Sequence, residues 1–166
     1  MVTLELAKPQ MLKDCYEIVD MGREFQKAQG FTQWTEDYPN LETIRQDIRE
    51  GKGYVVMAED RIAGYMCVDF DGEPAYEHID GKWRAELPYA VVHRMAFHPD
   101  FRGQGLTGTT FSLIEELCRR KGAGYLRADT DFPNKRMQQV LQKCGFVHCG
   151  TVIFQGSGKL AYDKLF

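Results

Sequence analysis

The run His98–Thr110, HPDFRGQGLTGTT, places Gly103, Gly105 and Gly108 in a G-x-G-x-x-G spacing directly behind an arginine, Arg102. Glycines at this spacing ahead of a helix leave main-chain amides without partners. With the positive end of the helix dipole, those amides form a site for an anion such as a diphosphate. A dinucleotide is the first ligand to weigh, because the same pattern marks dinucleotide-binding turns. Asp129 even stands about twenty residues further on, where a ribose-binding acid belongs. That turn, however, follows its strand directly, whereas here His98–Arg102 intervene. Antiparallel hairpins lie upstream, and residues 130–166 are too few to supply repeated βαβ units. A third reading is a tight turn with no ligand at all.

Other residues have acid–base or recognition chemistry. His93 has an imidazole that ordinarily titrates near neutrality, and its plainer role is a hydrogen-bonded core histidine. Asp129 and Asp131 stand at the end of a strand, the side on which open sheets hold ligands. Tyr162 carries a phenol on the last strand, where a core tyrosine is the alternative. Glu73 and Glu77 share a polar stretch with Tyr76, Trp83 and Tyr89, and a carboxylate among aromatics suits a cationic amine. Trp34 and Tyr38 are placed to form the opposite wall of such a cleft, or else to cover a sheet edge. The five cysteines, Cys15, Cys67, Cys118, Cys144 and Cys149, are odd in number and scattered, which reads as reduced cytoplasmic thiols. Cys144, His148 and Cys149 lack a C-x-x-C spacing, so no metal site is expected.

These groups must be positioned by a recognisable series of elements. A first strand, VTLELA, precedes a helix with Met11, Leu12, Cys15, Ile18, Val19, Gly22 and Phe25 at helical spacing. Asn40 caps a second helix with Leu41, Ile44 and Ile48 on its apolar face and Gly51 as its stop. YVVMAE and IAGYMCVDF form a hairpin turning at Asp60-Arg61. Residues 71–87 are a long loop or an interrupted strand pair, of the kind that carries function. YAVVHRMAF is a strand. After the glycine loop comes a helix with Leu106, Thr110, Leu113, Ile114 and Leu117 inward, then the strand YLRAD. A helix over Asn134–Lys143 presents Met137, Val140, Leu141 and Cys144, and ends at Gly145. FVHCGTVIF and KLAYDKLF close the chain as a hairpin around Gly156-Ser157-Gly158. The order predicts an α/β (mixed α+β) fold, a mixed sheet with helices on it, in a single domain over residues 1–166.

Composition narrows the function classes. The net charge of −3 gives no broad basic face for nucleic acid. No apolar run approaches the ~20 residues that span a bilayer, and the first residues do not read as a secretion signal. A cytoplasmic protein is expected, and the C-terminal hairpin could pair across a homodimer.

HRMAFHPDFRGQGLTG followed by LRADTDFPNKRMQQVLQKCGF resembles the GNAT superfamily of acyl-CoA-dependent N-acyltransferases. The family's R/Q-x-x-G-x-G/A pattern matches Arg102–Thr107, preceded by Met95-Ala96-Phe97-His98-Pro99. Its N…GF element matches Asn134 and Gly145-Phe146. His93-Arg94, Asp129-Thr130 with Asn134, and Ala161-Tyr162-Asp163-Lys164 are similar to an arrangement in bacterial members. The resemblance spans nearly the whole chain and implies a twisted, mostly antiparallel central sheet with flanking helices.

It also implies acetyl-CoA as co-substrate. Arg102, Gly103, Gln104, Gly105, Leu106, Thr107 and Gly108 would hold the diphosphate, and the main chain of Met95, Ala96 and Phe97 the pantetheine arm and thioester carbonyl. Asn134 would reach that arm, its plainer role being the helix cap. The implied reaction is direct attack of an amine, of a small molecule or a peptide, on the thioester. His93, Asp131 and Tyr162 are the catalytic candidates. Trp34, Tyr38, Glu77, Trp83 and Asp129 are the candidates for acceptor binding. Two departures stand out. Thr107 replaces the usual glycine or alanine, and Leu141 occupies the position where many members carry a tyrosine acid. Together these departures keep an alternative open: a CoA-binding sensor or interaction module without turnover.

Overall fold

The computed structural model describes residues 1–166. Its elements are β1 (Val2–Leu6), α1 (Leu12–Ala28), α2 (Leu41–Arg49), β2 (Gly53–Ala58), β3 (Arg61–Asp69), β4 (Asp80–Gly81), β5 (Ala90–Phe97), α3 (Leu106–Arg120), β6 (Tyr125–Asp131), α4 (Lys135–Lys143), β7 (Val147–Phe154) and β8 (Ser157–Leu165). The strands form one sheet in the order β1-β2-β3-β5-β6-β8-β7-β4. The registered pairs are antiparallel, β5 with β6 being the parallel exception. The mixed, mostly antiparallel sheet implied by the resemblance is the one observed. No helix is long and apolar enough to cross a membrane.

By their contacts the residues group into two compact units, Met1–Val68 with His93–Leu113 and Asp69–Val92 with Ile114–Phe166. In the first, the apolar face of α1 (Cys15, Ile18, Val19) joins Trp34, Ile44, Val55, Tyr65 and Ala96 in one core. Gly22 makes this possible: a Cβ there would lie 2.9 Å from the Trp34 ring and 3.0 Å from Ala96 Cβ. The buried face of α1 continues into polar residues. Arg23 donates to Thr35 O at 2.8 Å and to Pro39 O, while Gln26 Oε1 accepts from the Trp34 amide at 2.9 Å. The irregular stretch before α2 thus has main-chain groups satisfied by helix side chains, where an unpaired buried carbonyl or amide would be costly. Asn40 then caps α2 in a reciprocal pair with Thr43, a device worth about 1 kcal/mol.

Both hairpin turns fall one residue earlier than their sequence suggests. Glu59 and Asp60 adopt φ of 54° and 60°, and Gln155 and Gly156 adopt 54° and 72°. A two-residue turn with both residues left-handed matches the twist of antiparallel strands. The pairing Ala58↔Arg61 closes the first and Phe154↔Ser157 the second. Strand twist overrides local residue preference here.

In the second unit, residues 71–87 are ordered by side chains. A short 3-10 turn spans Pro74–His78, and β4 pairs with β7. Trp83 Nε1 donates to Tyr76 O at 2.8 Å. The buried Arg127 guanidinium lies over the rings of Tyr89, Trp83 and Tyr125 at 4.2, 4.3 and 5.2 Å and donates to Ala85 O. Each ring contact of a desolvated guanidinium contributes on the order of 1–2 kcal/mol. Asp163 on β8 is fully buried, and burial alone would raise its carboxyl. The Tyr125 hydroxyl and the amide and Nε of Arg84 hold it below the usual carboxylate range. Asp163 therefore fastens the far end of the loop.

Candidate active site

The glycine loop has the form its composition requires. Gly103 and Gly105 adopt φ of 77° and 72°, a region that favours glycine. A Cβ added at Gly103, Gly105 or Gly108 would meet nothing within 4 Å, so the outer surface of the loop is open. The first amide of this segment with a main-chain acceptor is that of Thr109, which reaches Gly105 O at 3.4 Å. The amides of Gly103–Gly108 before it have no main-chain partner, and they stand at the positive end of α3. An open glycine rim with unpartnered amides fits a diphosphate. Arg102 plays a different part from a free charge. Its guanidinium stacks on Phe25 at 4.0 Å and donates to Phe97 O at 3.0 Å and to Met21 O at 3.4 Å. It braces the loop against α1 and the end of β5, and Gln104 Nε2 donates to Asp100 O at 3.1 Å.

Strand β5 carries Met95, Ala96 and Phe97. Its parallel pairing with β6 is confined to Ala90↔Leu126 and Val91↔Arg127. Three residues later Arg94 adopts φ of 55°, left-handed in the middle of a strand. Arg94 donates through Nε and Nη2 to the two oxygens of Asp47, at 2.9 and 2.6 Å, and through Nη1 to the Tyr38 hydroxyl at 2.7 Å. His93 is neutral over the working pH range. Burial, then the charges of Arg94 and Lys52, push its imidazole down to about 3.

The acidic candidates lie in the second unit. The Tyr76 hydroxyl donates to Asp129 Oδ2 at 2.6 Å. Burial is the main cause that pushes the Asp129 carboxyl up to about 6, with Glu73 and Asp131 adding to it; the Tyr76 hydrogen bond and Lys159 pull the other way. Asp129 is nonetheless only half-buried, so it combines access with a raised pKa. Asp131 pairs with Lys159 at 3.5 Å. Asn134 caps α4 by accepting from the Met137 amide at 3.1 Å. Tyr162 is buried beside the His148 ring, 5.4 Å between centroids, and burial raises its phenol. Leu141 is buried on α4. Glu77 is exposed on the 3-10 turn, while Trp83 has its ring against Arg127. Trp34 lies in the core of the first unit beside Gly22 and Ala96.

Two features have little sequence signature. Tyr76 belongs with Asp129, a pairing across 53 positions that no local pattern encodes. Asp47 pairs with Arg94 across 47 positions. Here a weak signal existed: Ile44, Asp47 and Ile48 share one helical face, so the aspartate was set among apolar neighbours and needed a partner.

A sheet of this order, with parallel pairing breaking off along β5 and an open glycine rim leading into α3, defines a recognisable class. The chain belongs to the acetyltransferase (GNAT) family, whose model matches residues 14–146. A GNAT-family acetyltransferase of known crystal structure from Streptococcus agalactiae 2603 is 32% identical, with a TM-score of 0.92, covering 99% of this chain and 95% of that one. The aminoglycoside acetyltransferase AAC(6')-Ib, solved with coenzyme A, shares the fold at 19% identity and a TM-score of 0.72, covering 99% and 95%. A Bacillus subtilis (strain 168) protein provisionally named a ribosomal protein bS18-alanine N-acetyltransferase is 30% identical over 92 residues, 55% of this chain. The match spans about three fifths of that relative, 59% of its length.

Proposed function

We propose that this protein transfers an acetyl group from acetyl-CoA to an amine, with Asp129 as the base. The observation that carries the reading is the open rim of Gly103–Gly108 with its unpartnered amides. Family membership and a fold shared with a coenzyme A-bound acetyltransferase support it. When bound, acetyl-CoA supplies an activated acyl group whose leaving thiol is already fairly acidic, with a reference pKa of about 8.5. The chain's own task is to bind, orient and move one proton. The amides of Gly103–Gly108 hold the diphosphate, and the main chain at Met95–Phe97 orients the arm. Asp129 takes the proton from the acceptor amine, because a carboxylate with a pKa near 6 is ionised at neutral pH yet more basic than an ordinary one. His93, pushed down to about 3, is too weak for that task. No tyrosine is needed at the Leu141 position if the thiolate departs unassisted.

The acceptor is a primary amine of a small molecule or a peptide, in a protein working in the cytoplasm. Half-buried Asp129, with Glu73 and Asp131 close enough to influence it, favours a cation over a neutral amine. The direct test is thiol release from acetyl-CoA against a panel of amino acids, polyamines, aminoglycosides and peptides with free N-termini. Release with at least one of these is expected. Tight acetyl-CoA binding without release across the whole panel would instead identify a CoA-binding sensor.

A smaller change probes the proton step. In Tyr76→Phe the hydrogen bond that lowers the Asp129 pKa is gone. The acidic limb of kcat/KM is expected to move to higher pH than in the wild type, as read from pH–rate profiles. An unmoved limb would exclude Asp129 as the titrating group.

A further inference from the structure

Arg94 is held in a conformation that a non-glycine residue does not adopt for nothing. The left-handed region costs an L-residue about 1–2 kcal/mol, and it persists where the surroundings over-determine it. Those surroundings come from three places in the first unit. Asp47 on α2, 4% exposed, receives Nε and Nη2 in a bidentate pair. The Tyr38 hydroxyl takes Nη1. The Tyr65 hydroxyl on β3 donates to Asp47 Oδ2 at 2.7 Å, fixing the carboxylate in turn. All three guanidinium nitrogens are engaged, an arrangement a lysine could not reproduce.

The segment that follows is equally constrained. A Cβ on Gly64 of β3 would lie 2.6 Å from the Phe97 ring and 3.0 Å from Ala96 O, so β3 approaches Ala96 and Phe97 as closely as a glycine permits. The His98 amide donates to Ala63 O at 2.8 Å. A single left-handed residue in a strand changes the direction of the chain and of every following amide. Its conformation therefore sets how Met95–Phe97 present their main-chain groups.

We propose that Asp47, acting through Arg94, is a positioning residue: the ion pair locks the kink in β5 and thereby aims the main chain of Met95–Phe97 at the acyl donor. The inference rests on the reading of those residues as the donor strand. Its effect falls on the chemical step, because the diphosphate is gripped elsewhere, by Gly103–Gly108.

Two variants test it, Asp47→Asn and the double variant Asp47→Asn/Arg94→Gly. The second removes the guanidinium that the first leaves poorly paired, and its glycine takes positive φ freely, so folding is protected. The expected result in both is at least about tenfold faster amide exchange in the peptide Arg94–His98, with β2 unchanged. A loss of kcat of about 10²-fold is expected alongside, as for a misplacement near 1 Å, with the acetyl-CoA dissociation constant within about threefold of wild type. Unchanged exchange at Arg94–His98, or an equal rise in β2, overturns the proposal, since the pair would then serve global stability alone. Should wild-type protein bind no acetyl-CoA, the donor-strand reading falls, and the exchange data alone decide whether Asp47 holds the kink.

Discussion

An aspartate in place of Gly105 will raise the dissociation constant for acetyl-CoA by about 10²-fold or more while the protein stays folded. The added Cβ meets open space, so no core contact is lost. The cost to stability is that of a side chain at φ of 72°, about 1–2 kcal/mol. The cost to binding is larger, for two reasons. The side chain fills the surface on which a diphosphate would rest, and its carboxylate opposes the phosphate charge. A like-charge contact of this kind costs several kcal/mol, and about 3 kcal/mol is already 10²-fold. Gly51 provides the control. It has the same φ of 72° and equally open surroundings but lies just beyond the end of α2 rather than ahead of α3. Gly51→Asp is expected to lose comparable stability and to keep its acetyl-CoA affinity. Calorimetric titration and thermal unfolding of both variants check this. Unaltered affinity in Gly105→Asp would remove the cofactor assignment, and the proposed reaction with it.

Asp129→Asn is expected to lower kcat/KM by about 10²–10⁴-fold, the usual worth of a positioned base, without loss of stability at neutral pH. The sign follows from linkage. The Asp129 pKa is raised from 3.8 to about 6 in the folded protein. Folding therefore favours the protonated acid, a contribution fully present below pH 3.8 and lost as pH rises through about 6. Above that range the ionised carboxylate burdens the fold, by on the order of 1–3 kcal/mol. An asparagine keeps an oxygen to accept from Tyr76 and cannot ionise. The variant should accordingly melt at the wild-type temperature or higher at pH 8, with the difference shrinking toward pH 4. Wild-type kcat/KM should fall on the acid side with a midpoint near 6, and residual activity in the variant should lack that limb. Full activity in Asp129→Asn, or a loss that tracks unfolding, would assign the base elsewhere.

The parts legible in the sequence are those whose physics is local. The glycine rim could be read from Gly103 and Gly105 because positive φ ahead of a helix selects glycine. The Asn40 cap, the apolar faces of α1 and α4 and the paired strands of each hairpin were legible for the same reason. The order of elements, with the motif from Met95 to Gly108, was enough to imply the fold. Local signals were less reliable where strand twist competed with residue preference, as at Glu59 and Gln155.

What the tertiary structure decided is the state of the polar groups. Whether a carboxylate is a base, a clamp or a solvated charge depends on its desolvation and on partners brought from far along the chain. Asp129, Asp47 and Asp163 are the same residue type. One is raised by burial beside Tyr76, one is locked to Arg94, and one is held ionised by Arg84 and Tyr125. The amino-acid sequence by itself determined the elements, their order and the glycine rim, since backbone conformation answers to near neighbours. Folding assigned the chemistry, because a pKa and a side-chain direction are set by neighbours in space.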